Sequence, residues 1–360
     1  MSNLSGNEIK LKVLALFENG MSLRDIEAVT GVARSTVSDF VLRKTHQEWW
    51  ALQGDYKDGN TYRADKVELS WGSAPIPRGF AEGDIIYAEK HRWAKAPHRT
   101  THFVIPDTQV KPGLDLSWLT WVGKYIVDRK PDVIIHLGDH ADMPSLSSYD
   151  KGKKSFEGRR VAEDIKAAVK GMETLLAPLR EYQQKQFDED GFVSYNPRMV
   201  MTIGNHEFRL VRHVEENPEL EGFLGIHSLG YENFGWEVHD YLKPVVIDGI
   251  AYCHFMANPF TGKPYGGSAM NVLKTVGESF TVGHKQTLDM ATRYLPASGR
   301  QQWGLICGAC YTHDEDYKGY QGNHHFRGVI VKHEVKDGSY NPMFVSLDYL
   351  RNRYDRGHVA

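Results

Sequence analysis

Cysteine is scarce in this chain, with three in 360 residues. That excludes a disulfide framework and suits a reducing compartment. Cys307 and Cys310 form a lone C-x-x-C with His313, His324 and His325 nearby, but a structural zinc site needs four ligands in a recognisable spacing and no second cysteine pair exists. Both are expected to be small buried residues around a strand end. Long apolar runs are missing as well: no uninterrupted stretch could span a bilayer, and the start MSNLSGNEIK lacks the basic-then-apolar layout of a signal peptide. The expectation is a cytoplasmic protein with no membrane partner. Nor is there an excess of positive charge. With 43 Lys and Arg against 46 Asp and Glu the formal net charge is -3, so any contact with nucleic acid must come from local patches. No internal repeat or low-complexity tract is visible.

What remains is an ordinary soluble composition, 41% hydrophobic and 25% charged, able to bury a core. The length exceeds the usual single domain and suggests one large domain plus a small appendage. Residues 1–50 differ in character from the rest. Ile9, Val13, Leu14, Leu16 and Phe17 form a helical apolar stripe that Gly20 stops. Ser22 can cap a second helix carrying Leu23, Ile26 and Val29, which ends at Thr30-Gly31-Val32, and a third runs over residues 33–44 with Val37, Phe40 and Val41 facing inward. This is the helix-turn-helix pattern. The segment MSLRDIEAVTGVARSTVSDFVLR resembles those of resolvases and small bacterial repressors. The resemblance implies that the third helix presents Arg34, Ser35, Thr36, Ser38, Arg43 and Lys44 to DNA bases and phosphates. Six Lys and Arg balance six Asp and Glu in these fifty residues, so a trihelical module that packs against protein is the alternative. Residues 51–99, rich in Gly, Pro, Tyr and Trp, read as a linker with a basic, aromatic end.

From His102 onward the pattern is regular. HFVIP, DVIIHLGD and RMVMTIGNHE read as strands running into loops, with helices over residues 116–127 and 161–179 between them. VVID, GIAYCHF and SFTVGH follow as short strands in quick succession. Residues 100–360 are therefore expected to form a layered α/β domain with mixed central sheets flanked by helices, beside the small all-α helix-turn-helix domain.

Polar clusters end these strands: Asp107-Thr108-Gln109, Gly138-Asp139-His140-Ala141-Asp142, Gly204-Asn205-His206-Glu207, a lone His254, and Gly283-His284-Lys285-Gln286. Open α/β sheets place their chemistry at strand ends of this kind. In this order the segments resemble the calcineurin-like metallophosphoesterase family, whose pattern is D-x-H, GD-x-x-D, GNH-D/E, H and GH-x-H. The resemblance implies two divalent cations about 3.5–4 Å apart that clamp a phosphoryl group and generate hydroxide between them. Asp139 would bridge the cations. Asp107 with Gln109 and Gln286 would hold the first, and Asn205, His254 and His284 the second. His206 would face the substrate as the proton donor to the leaving oxygen, with Asp142 fixing its tautomer.

Gln109 and Gln286 stand where the family has histidine, both on one cation. An amide offers only a neutral oxygen, so that position is expected to be harder and weaker, favouring Mn²⁺ or Mg²⁺, with Zn²⁺ or iron suited to the histidine-containing position. The helix-turn-helix next to a phosphoesterase pattern points to DNA as partner and phosphodiester cleavage as the reaction: a metal-dependent DNA nuclease in a bacterial cell or phage-infected host. Helix-turn-helix half-sites would suit a homo-oligomer. Lys151-Gly152-Lys153-Lys154 with Arg159, Arg160, Lys166 and Lys170 could neutralise flanking phosphates or form a solvated face. In the Gly-rich stretch around residues 308–325, aromatics could stack on bases, or a histidine could reach the first metal position. The alternatives are a phosphatase or phosphodiesterase acting on proteins or nucleotides, and a DNA-binding regulator with an inactive site.

Overall fold

A computed structural model describes residues 12–13, 15–16, 23–33, 99–150, 152–315 and 319–355. The chain divides into two units. The smaller takes Met1–Gly72, Ile76–Lys95 and Gln183–Asn196, and the larger takes Ser73–Pro75, Ala96–Tyr182 and Pro197–Ala360. In the smaller unit the expected second helix is present as α1 (Leu23–Thr30). It buries Ile26 and exposes Val29, and it stops where Gly31 turns left-handed at φ 71° and donates its N–H to Glu27 O. Arg34, Ser35, Thr36, Ser38, Arg43 and Lys44 lie outside the described residues.

The larger unit is α/β with two mixed sheets. In the first, β1 (Thr100–Ile105), β2 (Val133–His136), β3 (Arg198–Thr202) and β4 (Glu237–His239) run parallel in that order. Crossovers through α2 (Ser117–Arg129) and α3 (Val161–Asp190) make the parallel pairing feasible, since parallel neighbours need a long return path. The second sheet is built from β5 (Val245–Ile247), β6 (Ile250–Cys253), β7 (Phe280–Val282), β8 (Leu288–Leu295) and β9 (Arg300–Cys307) in the order β5-β6-β7-β9-β8. The last two strands, β10 (Gly328–Lys336) and β11 (Ser339–Ser346), return to the first sheet as a hairpin, with β10 antiparallel to β1. Of the later helices, α4 (Phe208–Glu216) follows β3, α5 (Ala269–Val276) precedes β7, and α6 (Leu347–Tyr354) ends the described chain.

Register explains the core. Ile330, Val104, Ile135 and Val200 sit side by side across four strands of the first sheet. They pack against Ile247, Tyr252, Leu305 and Cys307 of the second, so the sheets form a sandwich. Each such buried aliphatic side chain contributes about 1.5–3 kcal/mol. The outer face of the second sheet is covered by α5, whose Ala269, Val272 and Leu273 pack on Cys253, Phe280 and Ile306. Cys307 and Cys310 are fully buried thiols, as expected of small residues around a strand end, and burial pushes Cys307 up to about 12.

One interior position breaks the apolar pattern. Lys332, paired in register with His102, is fully buried between the sheets. Its ammonium lies over the Tyr252 and Tyr340 rings at 4.6 and 4.3 Å and donates to Thr281 Oγ1 and Tyr252 Oη. Among its described contacts no carboxylate balances it, and burial lowers its pKa to about 7.

Candidate metal centre

All five polar clusters come together at one end of the sandwich, beyond the C-terminal ends of β1, β2, β3, β6 and β7. The loops after β1 and β2 are laced by their backbones: Thr108 and Gln109 donate N–H to Asp139 O, and Asp142 donates to Val110 O. Gly138 has φ 85°, and a Cβ there would lie 2.5 Å from Gly204 N; a Cβ on Gly204 would lie 2.1 Å from Asp139 Oδ1. Glycine is thus required for the β2 and β3 loops to approach this closely. Gln109, Asp139, His284 and Gln286 all hold left-handed backbone, with φ of 42°, 50°, 64° and 57°. Such strain in non-glycine residues persists where surrounding bonds over-determine it, typically at functional sites.

Glu207 supplies much of that determination. Its buried carboxylate accepts N–H bonds from Asp139 (2.9 Å), Ala141 (3.0 Å) and Gly204 (3.1 Å), and the Tyr231 hydroxyl (3.2 Å). Burial and then the charge on Asp139 push the Glu207 carboxyl above its ordinary range. His136 and His140, which match no ligand position, are structural: His140 bonds Thr108 Oγ1 and Ala168 O, and burial lowers it to about 4.

Asp139, His254 and His284 form a candidate metal-binding triad, their ligand atoms all within 4.8 Å of one another. Asn205 Oδ1 joins them, 2.9 Å from His254 Nε2 and 2.8 Å from His284 Nδ1. Tautomer logic tests whether a cation fits here. Leu137 O can only accept, so His254 Nδ1 at 2.7 Å must carry a proton. A neutral His254 then points its Nε2 lone pair at two further acceptors, Asn205 Oδ1 and, at 3.2 Å, Asp139 Oδ2. Only a proton or a cation resolves that convergence. Burial alone would lower His254, yet Asp139 beside it raises it to about 9. Burial would raise Asp139, but His206 and His254 bring it below the usual carboxylate range. His284 is lowered to about 4 by burial and by His254, which leaves it neutral and ligand-competent.

The other half of the centre is arranged differently. Asp107 is fully buried, and burial raises its carboxyl; Oδ1 accepts the His284 N–H at 3.0 Å. Gln109, 1% exposed, has both amide atoms buried without a partner, so its oxygen is available to a cation. Gln286 is turned the other way: Nε2 donates to Asp107 Oδ2 at 3.2 Å, while Oε1 accepts the hydroxyl of the buried Tyr311 at 2.8 Å. A carboxylate can only accept, so the amide nitrogen belongs on the Asp107 side. From the described residues of the 308–325 stretch a tyrosine, Tyr311, bonds Gln286, whereas His313 stacks on Tyr311 and bonds Glu315 at 2.7 Å.

His206 Nδ1 lies 2.7 Å from Asp142 Oδ1, and its Nε2 lies 3.7 Å from Asp139 Oδ2. Burial would lower His206, but Asp139 and then Asp142 raise it. Two cations frame this pair, and sequence reading assigned neither to the site. Arg209 donates to Asp142 O at 2.8 Å with Nη2 3.4 Å from His206 Nε2, and Lys111 Nζ sits 3.7 Å from Asp142 Oδ2 while bonding Glu315. Arg209 lies three residues beyond His206 at the start of α4, and that spacing was the available signal. The basic run after Asp142 is largely engaged locally: Lys153 and Arg159 bond Asp150, and Lys166 bonds Glu163.

No family model matches this chain. It is similar to two phage proteins, the Gene 54 proteins of Mycobacterium phages L5 and D29, at 26% and 28% identity over 212 residues. Each match covers 57% of this chain and 77% of the relative. No helix among the described residues is long and apolar enough to cross a membrane.

Proposed function

We propose that this chain is a metal-dependent phosphoesterase that cleaves DNA phosphodiester bonds. The observation that carries the reading is the His206–Asp142 pair, 2.7 Å apart, set 3.7 Å from the Asp139 carboxylate of the candidate triad. Asp139, Asn205, His254 and His284 would hold one divalent cation; Asp107, Asp139 and the oxygen of Gln109 would hold a second. Bound there, such cations supply Lewis-acid polarisation of the phosphoryl oxygens and a lowered pKa for attacking water. The all-oxygen position favours Mn²⁺ or Mg²⁺ over Zn²⁺.

The chain's own residues do the rest. His206, its pKa raised, delivers a proton from Nε2 to the leaving oxygen, and Asp142 keeps the ring in the matching tautomer and stabilises the imidazolium. Arg209 and Lys111 add positive charge where a phosphate would enter. Similarity to phage proteins fits a phage origin, and the expected helix-turn-helix would bring the enzyme to DNA. The test is incubation of supercoiled and linear DNA with the purified protein and Mn²⁺, Mg²⁺ or Zn²⁺. Nicking or end-resection that requires Mn²⁺ or Mg²⁺ supports the reading. Hydrolysis of aryl phosphates with no cleavage of any DNA contradicts it.

A further inference from the structure

A cavity of about 580 Å³ is lined in part by residues that flank the loop carrying Asn205 and His206. Its floor comes from the same loop that supplies Asn205 and His206: Ile203 stands immediately before Gly204, and Phe208 immediately after Glu207. Its aromatic wall is the pair Phe208–Tyr241, stacked at 4.3 Å with planes 22° apart. Ring contacts continue from Tyr241 to Phe255 at 5.8 Å and from Phe255 to the triad residue His284 at 4.8 Å. Two ring-to-ring steps thus separate the wall from the cation position. Val238, on the edge strand β4, adds a further apolar surface, whereas Glu232 and Asp240 are exposed acids on the lining.

These features narrow the occupant. Apolar and aromatic walls favour a flat, largely apolar ring, and carboxylates favour hydrogen-bond donors on its edge. Carboxylates also repel phosphate, so a nucleic-acid backbone would not lie in the cavity. Asp240 pairs with Lys243 at 3.8 Å, so Glu232 is the lining acid that an acyl chain would leave without a donor. A nucleobase meets all three conditions, because its face stacks, its exocyclic amino group donates, and its phosphate lies a short step away over the metal centre.

We infer that this cavity is a base-binding pocket that receives one unpaired base of the strand whose phosphate is cleaved. The inference rests on the phosphoesterase reading and adds the substrate class: DNA that is single-stranded or frayed at the site of cutting. Bases carrying an exocyclic amino group, adenine, cytosine and guanine, are preferred over thymine.

The experiment uses the full chain and a single-stranded oligonucleotide containing one 2-aminopurine, with an aryl phosphodiester that carries no base as the comparison substrate. Val238→Trp fills the pocket, and Tyr241→Leu removes its stacking face. The pocket predicts that 2-aminopurine fluorescence is quenched on binding and recovers in both variants. It also predicts that oligonucleotide cleavage relative to aryl diester cleavage falls about tenfold, the loss of one base–aromatic stack. Unchanged fluorescence and an unchanged ratio in correctly folded variants overturn it. The two readings fail separately: quenching without hydrolysis of any diester removes the phosphoesterase and leaves the pocket, whereas hydrolysis of both substrates with no effect of either variant removes the pocket alone.

Discussion

Replacing Glu207 by alanine should damage this protein more than any single ligand substitution at the centre. Its carboxylate is the shared acceptor of three backbone N–H groups, from Asp139, Ala141 and Gly204, and of the Tyr231 hydroxyl. The alanine leaves those three N–H groups buried without a partner, at about 1–3 kcal/mol each. Water entering the space and the removal of a buried charge offset part of this, which puts the expected loss near the low end, about 3 kcal/mol. Against a total of roughly 5–15 kcal/mol for a folded domain that is a large fraction. Tyr231→Phe removes one donor and keeps the acceptor satisfied, so about 1 kcal/mol is expected there. Because Glu207 also holds Asp139 in its left-handed turn, Mn²⁺ retention should fall at least tenfold in Glu207→Ala. Urea denaturation gives the stabilities, and metal analysis after desalting gives the retention. A Glu207→Ala protein within 1 kcal/mol of wild type, or no less stable than Tyr231→Phe, would refute the clamp.

Other expectations follow from the same geometry. Lys332 is lowered to about 7 when folded and returns to roughly 10.4 when unfolded, so between those values the unfolded chain binds the extra proton and stability rises with pH, by up to about 1.4 kcal/mol per unit. The Lys332→Met protein should therefore exceed wild type in stability most at pH 7 and below, with the difference shrinking towards pH 10; a difference that does not vary with pH would contradict the lowered pKa of Lys332. Comparing the two proteins cancels the opposite slope from the buried thiol of Cys253, raised to about 11. The double variant Gln109→His with Gln286→His should retain more zinc per chain after desalting than wild type, and equal retention would show that the glutamines do not set the metal preference. His206→Ala should lose about 100-fold or more on DNA, whose leaving alkoxide needs a proton, but far less on a p-nitrophenyl diester, whose leaving group does not. Equal losses on both would remove the proton-donor role.

Much of the site was legible because each ligand-bearing cluster ends a short apolar strand, and parallel neighbours bring such ends to one edge. HFVIP, DVIIHLGD, RMVMTIGNHE, GIAYCHF and SFTVGH each became a strand leading into a site loop. The helix expected over residues 161–179 is longer, reaching Asp190. The C-terminal hairpins were not legible. In β10 a lysine occupies an interior position, satisfied by one aromatic face from its hairpin partner β11 and one from β6, 80 residues away, and β8 is an edge strand with half of its residues exposed. The glutamines were visible as departures, but their orientation was not: the Asp107 carboxylate turns the Gln286 amide nitrogen towards itself, and the oxygen then meets Tyr311, 25 residues away. Lys111 and Glu207 acquired their roles in the same way, through partners that only the folded chain supplies.

The measurement that bears most directly on the central claim is Mn²⁺-dependent nicking of supercoiled DNA by the wild-type protein and Asp139→Asn, side by side. Asp139 is the carboxylate that the His206–Asp142 pair, His254 and both proposed cation positions share. The account predicts nicking by wild type that stops on chelation, and none above background from Asp139→Asn. Retained Mn²⁺-dependent nicking by the purified variant would contradict it.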